Sequence, residues 1–383
     1  MKKSFFSGSF LIVNCFLFLL LSLTATGVEH PPADHAGGDL ILSHDDVIWG
    51  VHTNIGAFSI PGTTEASTDT VRVAAYDGIT TSGRGMVEIH AKVIDIEGIL
   101  DATGSGYTGG AGGGGGGPGY IVIGSYPGAP GGVAVYGAGL FDGEDGDYGM
   151  GYMPQPGNGG DGGQADGPYG GAGAEGAVYG GYWDAEPEDG GYLAPESNGD
   201  NTTDDSTCMG SGGGGAGGYF GAVDGETKGA GGDAGGSGGG VIRLIPEEQI
   251  TLHSTCKILA DGSLGGPGEP SGADGGQGGD VFPFADETTG HNGGAGAGGG
   301  ILLDVRLTSA SEVLIESGAT ISSAGGREAL GGAMIKNRSL SSENGGTIKI
   351  LYTGEAPDLT GVNILSGKTI TLPPAKVEDW RLY

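Results

Sequence analysis

The feature that most constrains this chain is a strand-like statement made three times and begun a fourth. In residues 85–104 apolar side chains alternate at Val87, Ile89 and Ala91, slip phase by one at Val93 and Ile94, and alternate again through Ile96, Leu100 and Ala102. From Gly240 the statement returns as Val241, Ile242, Leu244 and Ile245, then Ile250, Leu252, Cys256, Ile258 and Ala260. From Gly300 it runs through Ile301, Leu303, Val305 and Leu307, then Val313, Ile315, Ala319 and Ile321. A shortened copy opens at Gly346 with Ile348, Ile350 and Tyr352. Period-two alternation turns every second side chain to one face, and the phase slip predicts a corner between two short strands. One unit has too little apolar surface to bury alone, whereas stacked units share a core. The expected fold class is all-β, and no segment carries an amphipathic helical pattern.

Glycine marks where the units are interrupted. The chain has 90 glycines in 383 residues, several times the ~7% of average usage, and they cluster between the strand units. Long insertions are expected at 105–236 and 263–299. Both keep a period of three in places, as in Gly159-Gly160-Asp161-Gly162-Gly163-Gln164 and Gly275-Gly276-Gln277-Gly278-Gly279-Asp280. That period suits an extended left-handed helix of about 3 residues per turn, whose backbones approach closely because glycine has no Cβ. Irregular but packed loops fit the same composition. The first insertion holds most of the 14 tyrosines, and eighteen acids against the single Lys228. Disordered acidic tracts are poor in aromatics, so this one is expected to be at least partly ordered.

The flanks differ from the middle. Residues 1–27 read as a secretory signal peptide: Lys2 and Lys3, an apolar run from Phe10 to Leu23, and Ala25-Thr26-Gly27 as a small-residue cleavage site. The run is short for a membrane span. Residues 28–84 hold short strand-like pieces at Leu40-Ile41-Leu42, Val47-Ile48-Trp49, Phe58-Ser59-Ile60 and Val71-Arg72-Val73, and read as an N-terminal β cap. Residues 85–353 carry the interrupted units, and 354–383 add further strands and a tail. The expected location is secreted, extracellular or at the cell surface. With 47 acids against 16 bases and a net charge of −31, the chain repels nucleic acid and anionic membranes. Neither a nucleic-acid partner nor a membrane span is expected. Cys208 and Cys256 remain after signal removal. One disulfide is the default for an exported pair; the alternative makes Cys256 a small buried strand residue.

The order Gly-Gly-Gly, Ile-x-Ile/Leu, then Ile-x-Ile-x-Gly-x-Ile-x-Ala-x-Gly resembles the coil repeat of exported parallel β-helix surface proteins, the filamentous-haemagglutinin-like and pectin-lyase-like groups. The resemblance covers 85–104, 240–262, 300–325 and 346–352. The Gly-Gly-X insertions resemble the polyglycine domains of some phage-tail adhesins and of a small antifreeze protein. These resemblances imply a right-handed parallel β-helix, a solenoid with long glycine-rich insertions. They do not fix a function.

Few residues point to chemistry. GxGxxG recurs too often at this glycine content to signal a dinucleotide site. Ser366-Gly367-Lys368-Thr369 ends like a phosphate-binding loop, but the earlier glycine, Gly361, is one place out of position. Lyases on a β-helix need a basic proton abstractor, for which Arg243 and Arg306 are available; Asn201-Thr202-Thr203-Asp204-Asp205 is faintly like a hydrolase motif. The companion motifs are missing, and paired carboxylates need a fixed separation, so no catalytic residue is assigned. His44 and His52 read as strand-edge histidines rather than metal ligands. No cofactor is expected apart from Ca²⁺, for which Asp142, Glu144, Asp145 and Asp147 offer oxygen ligands on a glycine-rich turn; a solvated acidic loop is the competing reading. Asn201 and Asn337 begin N-glycosylation sequons. Tyr182 and Trp183 are the candidate stacking pair for a sugar ring. The expected function is a non-catalytic structural or adhesive surface protein whose partner is an extracellular glycan or surface component. A polysaccharide lyase or hydrolase and an ice-binding protein are the alternatives.

Overall fold

The computed structural model describes residues 27–62, 69–79, 81–107, 125–126, 149–150, 207–210, 212, 236–263, 296–309, 312–326, 345–366 and 368–372. The chain before the first repeat unit forms β1 (Glu29–His30), β2 (Ala33–Asp34), β3 (Leu40–Ile41), β4 (Val47–Ile48), β5 (Gly50–Ile60) and β6 (Thr70–Val73). The first unit gives β7 (Met86–Ile96) and β8 (Ile99–Asp101). Within the first insertion β9 (Ser125–Tyr126) and β10 (Gly149–Met150) pair antiparallel. The second unit gives β11 (Val241–Leu252) and β12 (Lys257–Leu259), and the third β13 (Gly300–Val305), β14 (Val313–Ile315) and β15 (Thr320–Ser323). The last strands are β16 (Thr347–Tyr352), β17 (Asn363–Ser366) and β18 (Lys368–Leu372).

The long strands and their neighbours build two parallel sheets between which the chain alternates. One runs β1-β4-β6-β8-β12-β15-β17; the other runs β18-β16-β13-β11-β7-β5-β2, with β14 and β3 added beside β11 and β5. The register places like on like. Val87, Ile242, Ile301 and Ile348 follow one another across the second sheet. Leu100, Ile258, Ile321 and Ile364 do so across the first. These inward rows and their partners from Leu42, Phe58 and Val71 form one core. A slip of one residue would turn a whole row outward, so the alternation read from the sequence fixes the stacking.

Three features add to the sequence expectation. The phase slip is real, with Ala91 and Ile94 both buried around an exposed Lys92, but β7 stays one strand through it. β5 follows the slip in unbroken register, Ala57 and Phe58 opposite Val93 and Ile94, and its bulge of one extra residue lies earlier, between His52 and Ile55. β11 takes up the slip as a bulge of one residue between Pro246 and Gln249. In β5 the bulge holds Asn54 at φ 59, a left-handed conformation that Asn tolerates better than most residues. Only the third unit breaks into two strands, β13 and β14, and Leu307 in that break is 70% exposed rather than a core residue. Second, the strands expected over 28–84 join the sheets of the repeat units at their N-terminal end, β1, β4 and β6 in one and β2, β3 and β5 in the other. Third, the second sheet is buried on both faces toward its C-terminal half: Val241, Leu302 and Leu351 point away from the core rows yet are buried, as is Lys349. The segment 207–210 lies against this face, where an added Cβ on Gly300 would stand 2.8 Å from Thr207 Cβ. Parallel sheets are commonly covered on both sides.

The N-terminal end of the stack is held by a polar clasp. Asp46 accepts hydrogen bonds from the Val28 and Ser43 amides at 2.7 and 2.9 Å, and His30 Nε2 lies 3.4 Å from it. Burial pushes the Asp46 carboxyl up, but those amides and His30 bring it below its ordinary value. Beside it, His52 is fully buried; its Nδ1 meets His35 Nε2 at 3.1 Å and its Nε2 meets the Trp49 carbonyl at 3.1 Å. Burial lowers the His52 pKa, and the neighbouring His35 and His30 add to the effect. His44 is exposed and pairs with Asp45 at 3.4 Å.

Candidate functional site

Every long interruption of the stack leaves from the same corner. After β8, β12 and β15 the chain reaches a small residue, departs at 105–107, 263 or 326, and returns as a glycine run at 236–240, 296–300 or 345–346. The return is closed each time by the same bond. Gly240 N donates to Ala102 O at 2.8 Å, Gly299 N to Ala260 O at 2.7 Å and Gly346 N to Ser323 O at 2.7 Å; the three acceptors occupy equivalent positions in the register of the first sheet. The third interruption, between 326 and 345, has only two glycines over residues 327–344, so glycine content does not mark it in the sequence.

Between these closures the segment ends and the piece 207–210 bond to one another mostly through main chain. Gly106 N donates to Gly238 O at 2.7 Å, Gly238 N to Tyr107 O at 2.8 Å, Gly210 N to Gly239 O at 2.8 Å and Gly239 N to Ala297 O at 2.8 Å. The next layer repeats this with Gly296 N to Ser263 O at 3.1 Å and Gly326 N to Gly296 O at 2.8 Å. A Cβ on Gly239, Gly296, Gly299 or Gly346 would collide with a neighbouring carbonyl oxygen. Glycine is thus required here by close approach of backbones, and the glycine runs flanking each insertion form a buried seam along the stack. Asp261 braces it, accepting the Ser322 hydroxyl at 2.5 Å and the Ala324 amide at 2.7 Å. Burial raises the Asp261 pKa, and those two donors only partly offset it.

A cleft of about 460 Å³ opens beside the seam at the foot of the first insertion. Arg72, Arg84, Asp101, Thr103, Ser105 and Ser263 supply its polar groups, with Val47 and Ala75 as apolar lining. Arg72 and Asp101 are register neighbours on the outward face of the first sheet. Arg72 Nη1 donates to Asp45 Oδ1 at 3.2 Å. The Arg84 guanidinium lies 4.6 Å over the Trp49 ring, and its Nε is 3.9 Å from Asp77 Oδ2. Asp101 Oδ1 accepts the Thr103 amide at 2.9 Å.

The residues singled out in the sequence fare unequally. Tyr182, Trp183, Asp142, Glu144, Asp145, Asp147 and the motif 201–205 lie outside the described residues, as does Asn337. Among the described residues no cluster of three or more His, Cys, Asp or Glu side chains is arranged to hold a metal ion, and no helix is long and apolar enough to cross a membrane. Cys208 and Cys256, the expected disulfide pair, are not bridged in this structure. Cys256 is 1% exposed inside the core, where burial pushes its thiol up to about 12. Arg243 donates to Glu88 at 2.7 Å, and Arg306 pairs with Asp304. Burial raises the Glu88 pKa, but hydrogen bonds from His90 and Arg243 leave it below the ordinary value. Both arginines therefore serve ion pairs on the second sheet. The cleft was missed because its polar groups come from β6, the turn before β7 and the end of β8, which share no motif. No protein-family model, curated protein or solved structure matches this chain.

Proposed function

We propose that this chain is a non-catalytic surface protein in which a right-handed parallel β-helix serves as a rigid stand for glycine-rich insertions, and that the insertions carry the contact surface toward an extracellular glycan or surface component. The observation behind this reading is the closure bond repeated at Ala102, Ala260 and Ser323: three insertions of different length and composition are tied down at one corner. The described ends of the insertions therefore leave and re-enter the stack at neighbouring positions along one edge. Such an arrangement suits display, since a rigid base lowers the entropy cost of holding a contact surface. Tyr182 and Trp183 are the proposed stacking pair for a sugar ring. Asp142, Glu144, Asp145 and Asp147 are the proposed Ca²⁺ ligands. Export to the cell surface or medium belongs to the same proposal.

Arg243 and Arg306 are held in ion pairs with Glu88 and Asp304, so nothing in their surroundings favours a lyase. The test is retention of the protein on immobilised polysaccharides with analysis of the supernatant. Retention without released oligosaccharide supports the proposal. Chain cleavage overturns it in favour of an enzyme, and ice recrystallisation inhibition without glycan retention would favour the antifreeze alternative.

A further inference from the structure

We infer that the cleft at the foot of the first insertion binds one neutral sugar residue of a glycan. This rests on the reading of the protein as a glycan-facing surface protein, and gives that reading a site separate from the insertions. A pyranose offers hydroxyl groups that donate and accept together, plus an apolar face of C–H groups. The cleft supplies the complement. Arg72 and Arg84 are donors only, Asp101 is an acceptor, and Thr103 provides a hydroxyl of either sense. Val47 and Ala75 provide the apolar surface. The volume of about 460 Å³ falls in the usual range of roughly 300–1,000 Å³ for small-ligand sites.

The polar groups are held in place before any ligand arrives. Asp45 fixes Arg72 at 3.2 Å, and Trp49 lies beneath the flat guanidinium of Arg84 at 4.6 Å. Asp101 is anchored through Oδ1 by the Thr103 amide. The charge balance decides between a neutral and an anionic sugar. Each arginine has its own aspartate, Asp45 or Asp77, at 3.2 or 3.9 Å, and Asp101 stands in the cleft itself. The site thus has no spare positive charge, and the whole chain carries −31, which repels anions at long range.

The test uses the full chain and calorimetric titration with a panel of neutral oligosaccharides and their uronate-ended counterparts. At least one neutral member is expected to bind, and Asp101→Asn and Arg84→Lys should each weaken it by about tenfold or more, as loss of a hydrogen bond to a charged group does. Asn keeps an acceptor for the Thr103 amide, so the local turn survives. Thr103→Arg is the second route: this exposed residue should block the cleft without touching the core. Binding unchanged in all three variants overturns the site while leaving a glycan contact elsewhere intact. Preference for the uronate-ended sugar overturns the neutral ligand. Absence of binding to every member overturns both this site and the glycan-facing reading.

Discussion

Gly299 and Gly354 show how differently two glycines can be used. At Gly299 the backbone conformation is ordinary, but an added Cβ would run into the carbonyl oxygens of Gly239 and Gly240. At Gly354 the space is open and only the φ of 86° disfavours a side chain. Gly299→Ala is therefore expected to cost roughly 1–3 kcal/mol or more through overpacking of the seam, whereas Gly354→Asn should cost well under 1 kcal/mol, since Asn visits this region readily; denaturant titration of the two variants checks the contrast. His52 gives a second prediction. Its folded pKa lies below 6.5 because it is buried beside His35 and His30. The unfolded chain then binds more protons than the folded one, so stability is full above about pH 6.5 and falls as pH drops through the lower folded value. Thermal unfolding followed from pH 8 to pH 5 should show this decline, and His52→Gln should flatten it. Neither feature was readable in the sequence: His35 and His52 meet only after β2 pairs with β5, and the seam glycines look like any others until backbones are brought together.

At the scale of strands the sequence was far more legible, because alternation is a local property and burial obeys it. Val87, Ile89, Ile242, Leu244, Ile301 and Ile348 all lie in the core rows where their spacing puts them. What alternation does not convey is how the backbone takes up a slipped phase. The same slip is a smooth passage in β5 and β7, a bulge in β11, and a break between β13 and β14. Nor does it show that an outward row is covered, although the near-continuous apolar runs at 241–245 and 301–303 were the available sign. The last strands complete the edges of both sheets, β17 beside β15 and β18 beside β16. Ending the chain after Thr353 removes both and exposes the rows behind them. Such a truncate should keep a β-type circular dichroism spectrum with a clearly lower melting temperature; a helical spectrum would contradict the stacking.

For the molecule as a whole, charge is the dominant physical fact. The first insertion concentrates eighteen acids against Lys228, and at low salt the Debye length of about 30 Å at 0.01 M screens them poorly. If Asp142, Glu144, Asp145 and Asp147 form the proposed Ca²⁺ site, millimolar Ca²⁺ should raise the melting temperature and protect 105–236 from protease. NaCl at matched ionic strength should do neither to the same degree; equal protection would show screening without a site.

The closure bond at each insertion base also separates two quantities that are usually coupled, the length of a loop and the geometry of the scaffold that bears it. Because Gly240, Gly299 and Gly346 return to equivalent acceptors whatever lies between, lengthening an insertion changes only its closure entropy, by about 0.6 kcal/mol for each doubling. A foreign peptide grafted between 264 and 295 should therefore leave the stack beneath it unchanged, whereas any exchange of the first insertion has to keep 207–210, which lie against the second sheet. On such a scaffold insertion and deletion alone can change what lies beyond the closure bonds while the core stays as it is.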